Sequence, residues 1–273
     1  MMWGIVPAAG SGSRIQPLAF SKELLPVGSR IDHGIERPRA VSEYLVDRLI
    51  LGGADRLCFV IAPGKSDILE YYGGGACQAH ITFTVQPRPA GLCDALFSAL
   101  PLTRPDDFVL IGLPDTIWYP EDALHAVGSD PLSFLLFPVS RPELFDAVRT
   151  DADDRVLEIQ VKHAEPASNW IWGAVKLSGE TFHALHALWL ARGRRDEYLG
   201  TLVNAWLAGG GTAVGVRAGE AYVDVGTLNG YREAITMLSA RPVERSGGFR
   251  REATAAPGAV PPAAAAAAVP AGR

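Results

Sequence analysis

Residues 3–27 read W-G-I-V-P-A-A-G-S-G-S-R-I-Q-P-L-A-F-S-K-E-L-L-P-V, an apolar run of strand length that passes directly into a glycine-rich loop. The run Trp3–Pro7 has the unbroken apolar character of a strand covered on both faces. Gly10 and Gly12 let the backbone after it turn and approach a ligand closely, with Ser11 and Ser13 beside them, while Arg14 and Lys22 bring full positive charge to the same place. A polyanion is expected there.

Two familiar phosphate loops do not match. The dinucleotide fingerprint wants a third glycine where this chain has Ile15, and no acidic residue closes a βαβ unit about 20 residues later. Gly64-Lys65-Ser66 resembles the tail of a Walker loop, but its earlier glycine would fall on Phe59, so Lys65 is expected to be a solvated lysine opening a helix.

Outward from the loop, short apolar strands alternate with helices. Ala40–Leu51 carries Val41, Leu45 and Leu49 at helical spacing and ends at Gly52-Gly53, and Arg56–Ala62 reads as a strand. Ser66–Tyr72 gives a short helix, His80–Val85 a strand, Leu92–Leu100 a helix and Asp107–Gly112 a strand. This grammar predicts a Rossmann-like α/β fold, a mostly parallel mixed sheet sandwiched by helices. Ligands of such sheets sit beyond the carboxyl ends of the strands, so the segments after each strand are where chemistry is expected.

With 48% hydrophobic and 20% charged residues in 273, the chain reads as globular. Its 25 basic against 30 acidic residues, net −5, argue against a nucleic-acid or anionic-membrane binder and make the useful positive charge local. Cys58, Cys77 and Cys93 have no zinc or disulfide spacing, and neither a signal peptide nor a membrane span is visible, so a cytoplasmic protein is expected. His183 and His186 lack a third ligand and read as ordinary helix histidines. Residues 1–240 are expected to form one catalytic domain, and 241–273 a low-complexity Ala/Pro tail, disordered because it has nothing to bury.

The ordered pattern G-S-G-S-R-I-Q-P-L, then S-K-E-L-L-P-V, resembles the signature of the sugar-1-phosphate nucleotidylyltransferases, most closely the glucose-1-phosphate thymidylyltransferase group. The resemblance runs over roughly residues 3 to 238. It implies the nucleotide-diphospho-sugar transferase type of fold and an NDP-sugar pyrophosphorylase activity using Mg²⁺. It assigns Gly10, Ser11, Gly12 and Ser13 to nucleotide binding, with Arg14 and Lys22 as catalytic cations. In Gln86-Pro87-Arg88-Pro89-Ala90-Gly91, the residues Gln86, Pro89 and Gly91 would read the base, an amide able to donate and accept suiting a pyrimidine edge. Asp115 in L-P-D-T and Asp224 in D-V-G-T would hold the metal, with Thr227 capping the helix that follows. Lys162 would hold the sugar phosphate, and Trp172, Gly173 and Glu197 the sugar.

The match thins on the sugar side. Val161 and His163 flank Lys162 where the family carries an acidic residue and a proline, and Ala147 replaces a glycine. An insertion separates Gly28 from Arg37-Pro38. The expected reaction joins a nucleoside triphosphate, dTTP or UTP, to a sugar 1-phosphate, with glucose 1-phosphate foremost. A cytidylyltransferase of a small phosphorylated alcohol and a non-catalytic nucleotide-sugar sensor are the alternatives, and a nicotinamide-dependent dehydrogenase lacks its glycine. The sequence leaves a homo-oligomer open.

Overall fold

The apolar run forms the first strand, β1 (Met2–Pro7), inside the main sheet. Its alternate residues serve opposite faces. Trp3 and Ile5 pack with Cys58, Val60, Val109 and Ile111 on one side, and Val6 packs with Leu57, Phe59 and Leu110 on the other. A strand covered twice needs apolar residues throughout, which is why this run shows no alternation. The computed structural model describes residues 1–32, 34–73, 75–128, 130–245 and 249–251.

After β1 and the glycine-rich loop come the hairpin β2 (Pro26–Asp32) and β3 (Ile35–Ala40), then α1 (Val41–Leu51), β4 (Arg56–Ile61), α2 (Ser66–Gly73), β5 (Gly75–Cys77) and β6 (His80–Val85). α3 (Gly91–Phe97), β7 (Phe108–Gly112) and β8 (Thr116–Tyr119) complete the first half. The second half runs β9 (Leu132–Pro138), β10 (Ala147–Thr150), β11 (Val156–Gln160), β12 (Trp170–Ser178), α4 (Gly179–Ala191) and α5 (Leu199–Ala208). It ends with β13 (Val214–Val216), β14 (Ala221–Asp224), α6 (Leu228–Ser239), β15 (Glu244–Arg245) and β16 (Phe249–Arg251).

β6, β4, β1 and β7 lie side by side and parallel, Trp3 facing Arg56 on one side and Val109 on the other. β12 then runs antiparallel between β7 and β9, the β10–β11 hairpin extends the sheet, and β13 adds to β9 in parallel. Leu96, Phe182, Leu185 and Leu202 from α3, α4 and α5 cover one face. Leu45, Leu49, Ile68 and Tyr72 from α1 and α2 cover the other. The expected sheet sandwiched by helices is what forms. The insertion after Gly28 is the β2–β3 hairpin, and Val27, Val41, Tyr44, Ile117, Val223 and Ala234 make a third apolar cluster over it.

A separate ribbon matters most for the site. β8 and β14 pair antiparallel with Asp224 opposite Thr116, and Thr227 caps α6, its Oγ1 accepting from the Gly230 N–H at 3.0 Å. The change of composition at residue 241 does not end the regular structure, because β15 pairs with β2 and β16 with β5. Residues 252–273, the body of the expected Ala/Pro tail, lie outside the described residues. Among the described residues, no helix is long and apolar enough to cross a membrane.

Candidate active site

A cleft of about 260 Å³ opens at the carboxyl ends of β1 and β7, and three cations and three carboxylates line it: Arg14, Lys22, Lys162, Asp115, Asp146 and Asp224. Lys22 sits in a single turn of 3-10 helix (Lys22–Leu24) and its Nζ meets Asp115 Oδ2 at 2.5 Å, with both side chains largely buried. Arg14 Nη1 meets Asp224 Oδ2 at 3.0 Å and is more than half exposed. Burial pushes the Asp115 carboxyl up, but Lys22 beside it outweighs burial and holds it below the usual carboxylate range. Burial likewise pulls the Lys22 ammonium down, and Asp115 and Glu23 more than offset it, raising Lys22 overall. Both cations are thus held by a carboxylate that a phosphate group can displace.

The glycine-rich loop spans Pro7 to Arg14, both of which line the cleft, and Gly10, Ser11 and Ser13 between them are exposed. A Cβ at Gly10 would meet nothing within 4 Å, so the backbone there is open to approach. Gly12 has a positive φ of 67° and lies against the Lys22 stem. Lys65 corrects the sequence expectation. It is not solvated: its Nζ donates to the Ala8 carbonyl at 2.7 Å and to both carboxylate oxygens of Glu23 at 2.8 Å. Glu23 is buried, and burial pushes its carboxyl up against the pull of Lys65. Two residues on, Asp67 accepts from the Ser21 N–H at 2.6 Å and from its hydroxyl at 2.7 Å. The start of α2 therefore clamps both ends of the loop, which explains why Gly64-Lys65-Ser66 only mimics a Walker tail.

Asp115 and Asp224 converge beside Gly226. A Cβ built there would stand 2.8 Å from Asp115 Oδ2, 2.8 Å from Asp224 Oδ1 and 3.1 Å from Arg14 Nη2. The Gly226 N–H donates to Asp224 Oδ1 at 2.7 Å and the Val225 N–H to the Asp115 carbonyl at 2.8 Å, fixing the two strands of approach. Two carboxylate oxygens facing one glycine-sized space are hard donors suited to a divalent cation that takes its other ligands from phosphate and water. No cluster of three or more acidic, His or Cys ligands occurs among the described residues. The donor set fits a shared, substrate-completed metal rather than a closed structural one.

Several expected residues have protein partners of their own or lie off this cleft's wall. Gln86 is buried after β6, and its amide nitrogen is already given to the Gly91 carbonyl at 3.2 Å and to Asp94 Oδ2 at 2.7 Å. Only its amide oxygen is left to read a base. Gly91 has φ 89°, and an added Cβ would strike Glu197 at Cγ (2.7 Å) and Cα (2.8 Å). The Glu197 carbonyl accepts from the Leu92 N–H at 2.8 Å, so Glu197 acts through its main chain in seating α3. Its neighbour Tyr198, and not Glu197, lines the cleft. Gly173 lies off the cleft wall, where it makes room for Phe137 and Tyr222 (2.5 and 2.8 Å from an added Cβ). Pro89 is exposed in the loop after β6, apart from that wall. Trp172 does line the cleft, beside Asp146.

Sequence reading missed Asp146, Tyr198, Tyr222, Glu23 and the role of Lys65. The one local signal was Asp146 itself, a charge set between Phe145 and the apolar start of β10. A second hollow of about 550 Å³ shares Arg14, Leu144, Phe145, Tyr222 and Asp224 with the cleft, so the two adjoin at Asp224.

A family model described as nucleotidyl transferase matches residues 3–241. The chain belongs to that family. This nucleotidyltransferase is 26% identical over 252 residues to a glucose-1-phosphate thymidylyltransferase of Neisseria meningitidis, covering 87% of this chain and 82% of that one. It is 29% identical over 266 residues to the enzyme of that name from Mycobacterium tuberculosis, covering 91% and 85%. Among solved structures, a Bacillus anthracis protein assigned as a glucose-1-phosphate thymidylyltransferase, in complex with sucrose, superposes with a TM-score of 0.74 at 21% identity over 90% of this chain and 98% of that one. UTP-bound UGPase from Acinetobacter baumannii gives 0.69 at 18%, over 87% and 93%. Those two likenesses bear on the fold, and both carry the α/β architecture described above.

Proposed function

We propose that this nucleotidyltransferase joins a nucleoside triphosphate, dTTP or UTP, to a sugar 1-phosphate, glucose 1-phosphate foremost, giving an NDP-sugar and pyrophosphate. The observation that carries this reading is the meeting of Arg14, Lys22 and Lys162 in one cleft with Asp115 and Asp224. Three positive groups suit two phosphorylated substrates, and the relatives named for this reaction support the choice of acceptor.

A phosphate oxygen of the sugar 1-phosphate attacks the α-phosphorus, the new P–O bond forms, and the α–β anhydride bond breaks to release pyrophosphate. The attacking oxygen is already anionic, so no general base or covalent enzyme intermediate is needed. The protein's task is alignment and charge neutralisation. The exposed amides of Gly10–Ser13 cradle the triphosphate, and Arg14 and Lys22 stabilise charge on it and on the departing pyrophosphate. Lys162, held in a left-handed turn with φ 49°, positions the sugar phosphate. Asp115 and Asp224 would hold Mg²⁺, which when bound supplies further neutralisation of phosphate oxygens. The Gln86 amide oxygen is suited to accept from the N–H of a pyrimidine edge.

The test is a panel of nucleoside triphosphates crossed with sugar 1-phosphates in Mg²⁺, read by pyrophosphate release, with Arg14→Ala run alongside. Turnover is expected with dTTP or UTP, lowered about 10²-fold in the variant, the scale for losing a positioned charge-stabilising group. No release with any sugar 1-phosphate overturns the reading, and near-normal rates in Arg14→Ala remove Arg14 from it.

A further inference from the structure

The cleft holds a third cation–carboxylate pair that the proposed chemistry leaves unexplained. Asp146 stands just before β10 with its side chain only 11% exposed, among Lys162, Trp172 and Tyr198 on the cleft wall. For a carboxylate so buried its contacts are thin. Lys162 Nζ is 3.9 Å from Oδ1, beyond hydrogen-bond reach, and the Lys162 N–H approaches the same oxygen from 3.4 Å. Trp172, beside Asp146 on the cleft wall, also pulls the Asp146 carboxyl down. The pairs at Asp115 and Asp224 are closed at 2.5 and 3.0 Å.

A carboxylate can accept about four hydrogen bonds, and leaving a buried one short is destabilising. Burial pushes the Asp146 carboxyl up even though Lys162 and Trp172 pull it down, as expected of a group that lacks donors. Asp146 faces the cleft, so a donor that completes its shell would come from a ligand. That ligand's own anion cannot be the partner, because it would face the carboxylate; its phosphate belongs on Lys162. A neutral donor next to that phosphate meets both demands.

We infer that Asp146 is a specificity-determining residue, accepting a hydrogen bond from the sugar hydroxyl next to the anomeric carbon of the bound sugar 1-phosphate. The inference rests on the sugar 1-phosphate reading above. The 3.9 Å between Lys162 Nζ and Asp146 Oδ1 selects the hydroxyl. A phosphate on Lys162 is joined to C1, and the C2 hydroxyl is the one on the adjoining carbon. When Lys162 turns to the phosphate, Asp146 loses its cation, and the hydroxyl takes that place.

Steady-state kinetics of wild type and Asp146→Asn, each with glucose 1-phosphate and with 2-deoxyglucose 1-phosphate, test this. Asp146→Asn is expected to raise KM for glucose 1-phosphate about tenfold, the scale of a hydrogen bond to a charged group, with KM for the triphosphate unchanged. The 2-deoxy sugar should bind wild type about tenfold less well and lose little more in the variant. Equal penalties on both sugars, or a penalty that falls on the triphosphate instead, overturn the inference. If Asp146→Asn fails to fold, wild type alone decides: no discrimination between the two sugars overturns it. A wild type that uses sugar 1-phosphates but shows none of this pattern sinks the role of Asp146 alone, whereas one that uses none removes the underlying reading as well.

Discussion

Adding a single methyl group at Gly226 should separate activity from stability. In Gly226→Ala the new Cβ would lie 2.8 Å from one oxygen each of Asp115 and Asp224, and 3.1 Å from Arg14 Nη2. Ordinary contact begins near ~3.5 Å, so each oxygen must yield by about 0.7 Å. The atoms that yield are the tips of side chains, and the residue 226 N–H that donates to Asp224 is kept. The fold should therefore lose no more than about 1 kcal/mol, a Tm shift of roughly 2–4 °C for a chain of this size. Chemistry is less tolerant. Catalytic groups must be held within about 0.5 Å, and a misplacement of about 1 Å costs about 10²-fold. Turnover should fall about 30- to 100-fold, with a raised requirement for divalent cation because the methyl occupies the space between the two donors. Pyrophosphate release across a Mg²⁺ titration and a thermal melt read the two effects separately. Gly73→Ala, whose Cβ would meet nothing within 4 Å, is the control. Turnover within about twofold of wild type, at unchanged metal dependence, would refute the placing of the metal and reacting phosphates beside Gly226.

The remaining expectations concern the loop and its charges. Lys65→Met strands the buried Glu23 without its cation, which costs about 3–5 kcal/mol when one partner of a buried pair is removed. A denaturant midpoint should drop accordingly and largely recover in Lys65→Met with Glu23→Gln; a single variant as stable as wild type would show that the clamp contributes nothing. The Lys22–Asp115 pair sets a pH window. Asp115 is lowered in the folded state, so its contribution is present above the ordinary carboxylate value of about 3.9 and lost as pH falls through the folded value. Lys22 is raised, so its contribution is present below about 10.4 and lost as pH rises past its folded value. The Tm difference between wild type and Asp115→Asn should stay flat from about pH 5 to 9 and shrink only in stronger acid. Shrinkage between pH 8 and 6 contradicts the pairing.

Much of the fold was legible because its causes are local. Trp3–Pro7, Arg56–Ile61 and Phe108–Gly112 are apolar at nearly every position since both faces are covered, and the intervening helices announce themselves by spacing and terminal glycines. The Ala8–Val27 loop was legible for the same reason: glycines that allow close approach and two cations sit within one short stretch. Lys65 was misread because its partners, Ala8 and Glu23, lie far back in the chain. Gly91 and Gly173 also sit against the bulk of a neighbour, a packing reason that looks the same in sequence as a glycine kept for a substrate.

By itself, then, the sequence determined the parallel sheet, the segments that follow its strands, and the cations of the first loop, all set by side-chain period and backbone freedom over a few residues. Only the tertiary structure decided that Asp115 and Asp224 face one space, because that depends on β8 pairing with β14. It alone brought Asp146 to Lys162 and Lys65 to Glu23. Such contacts close long stretches of chain at an entropic cost that only the packed whole offsets, so no local pattern of residues records them.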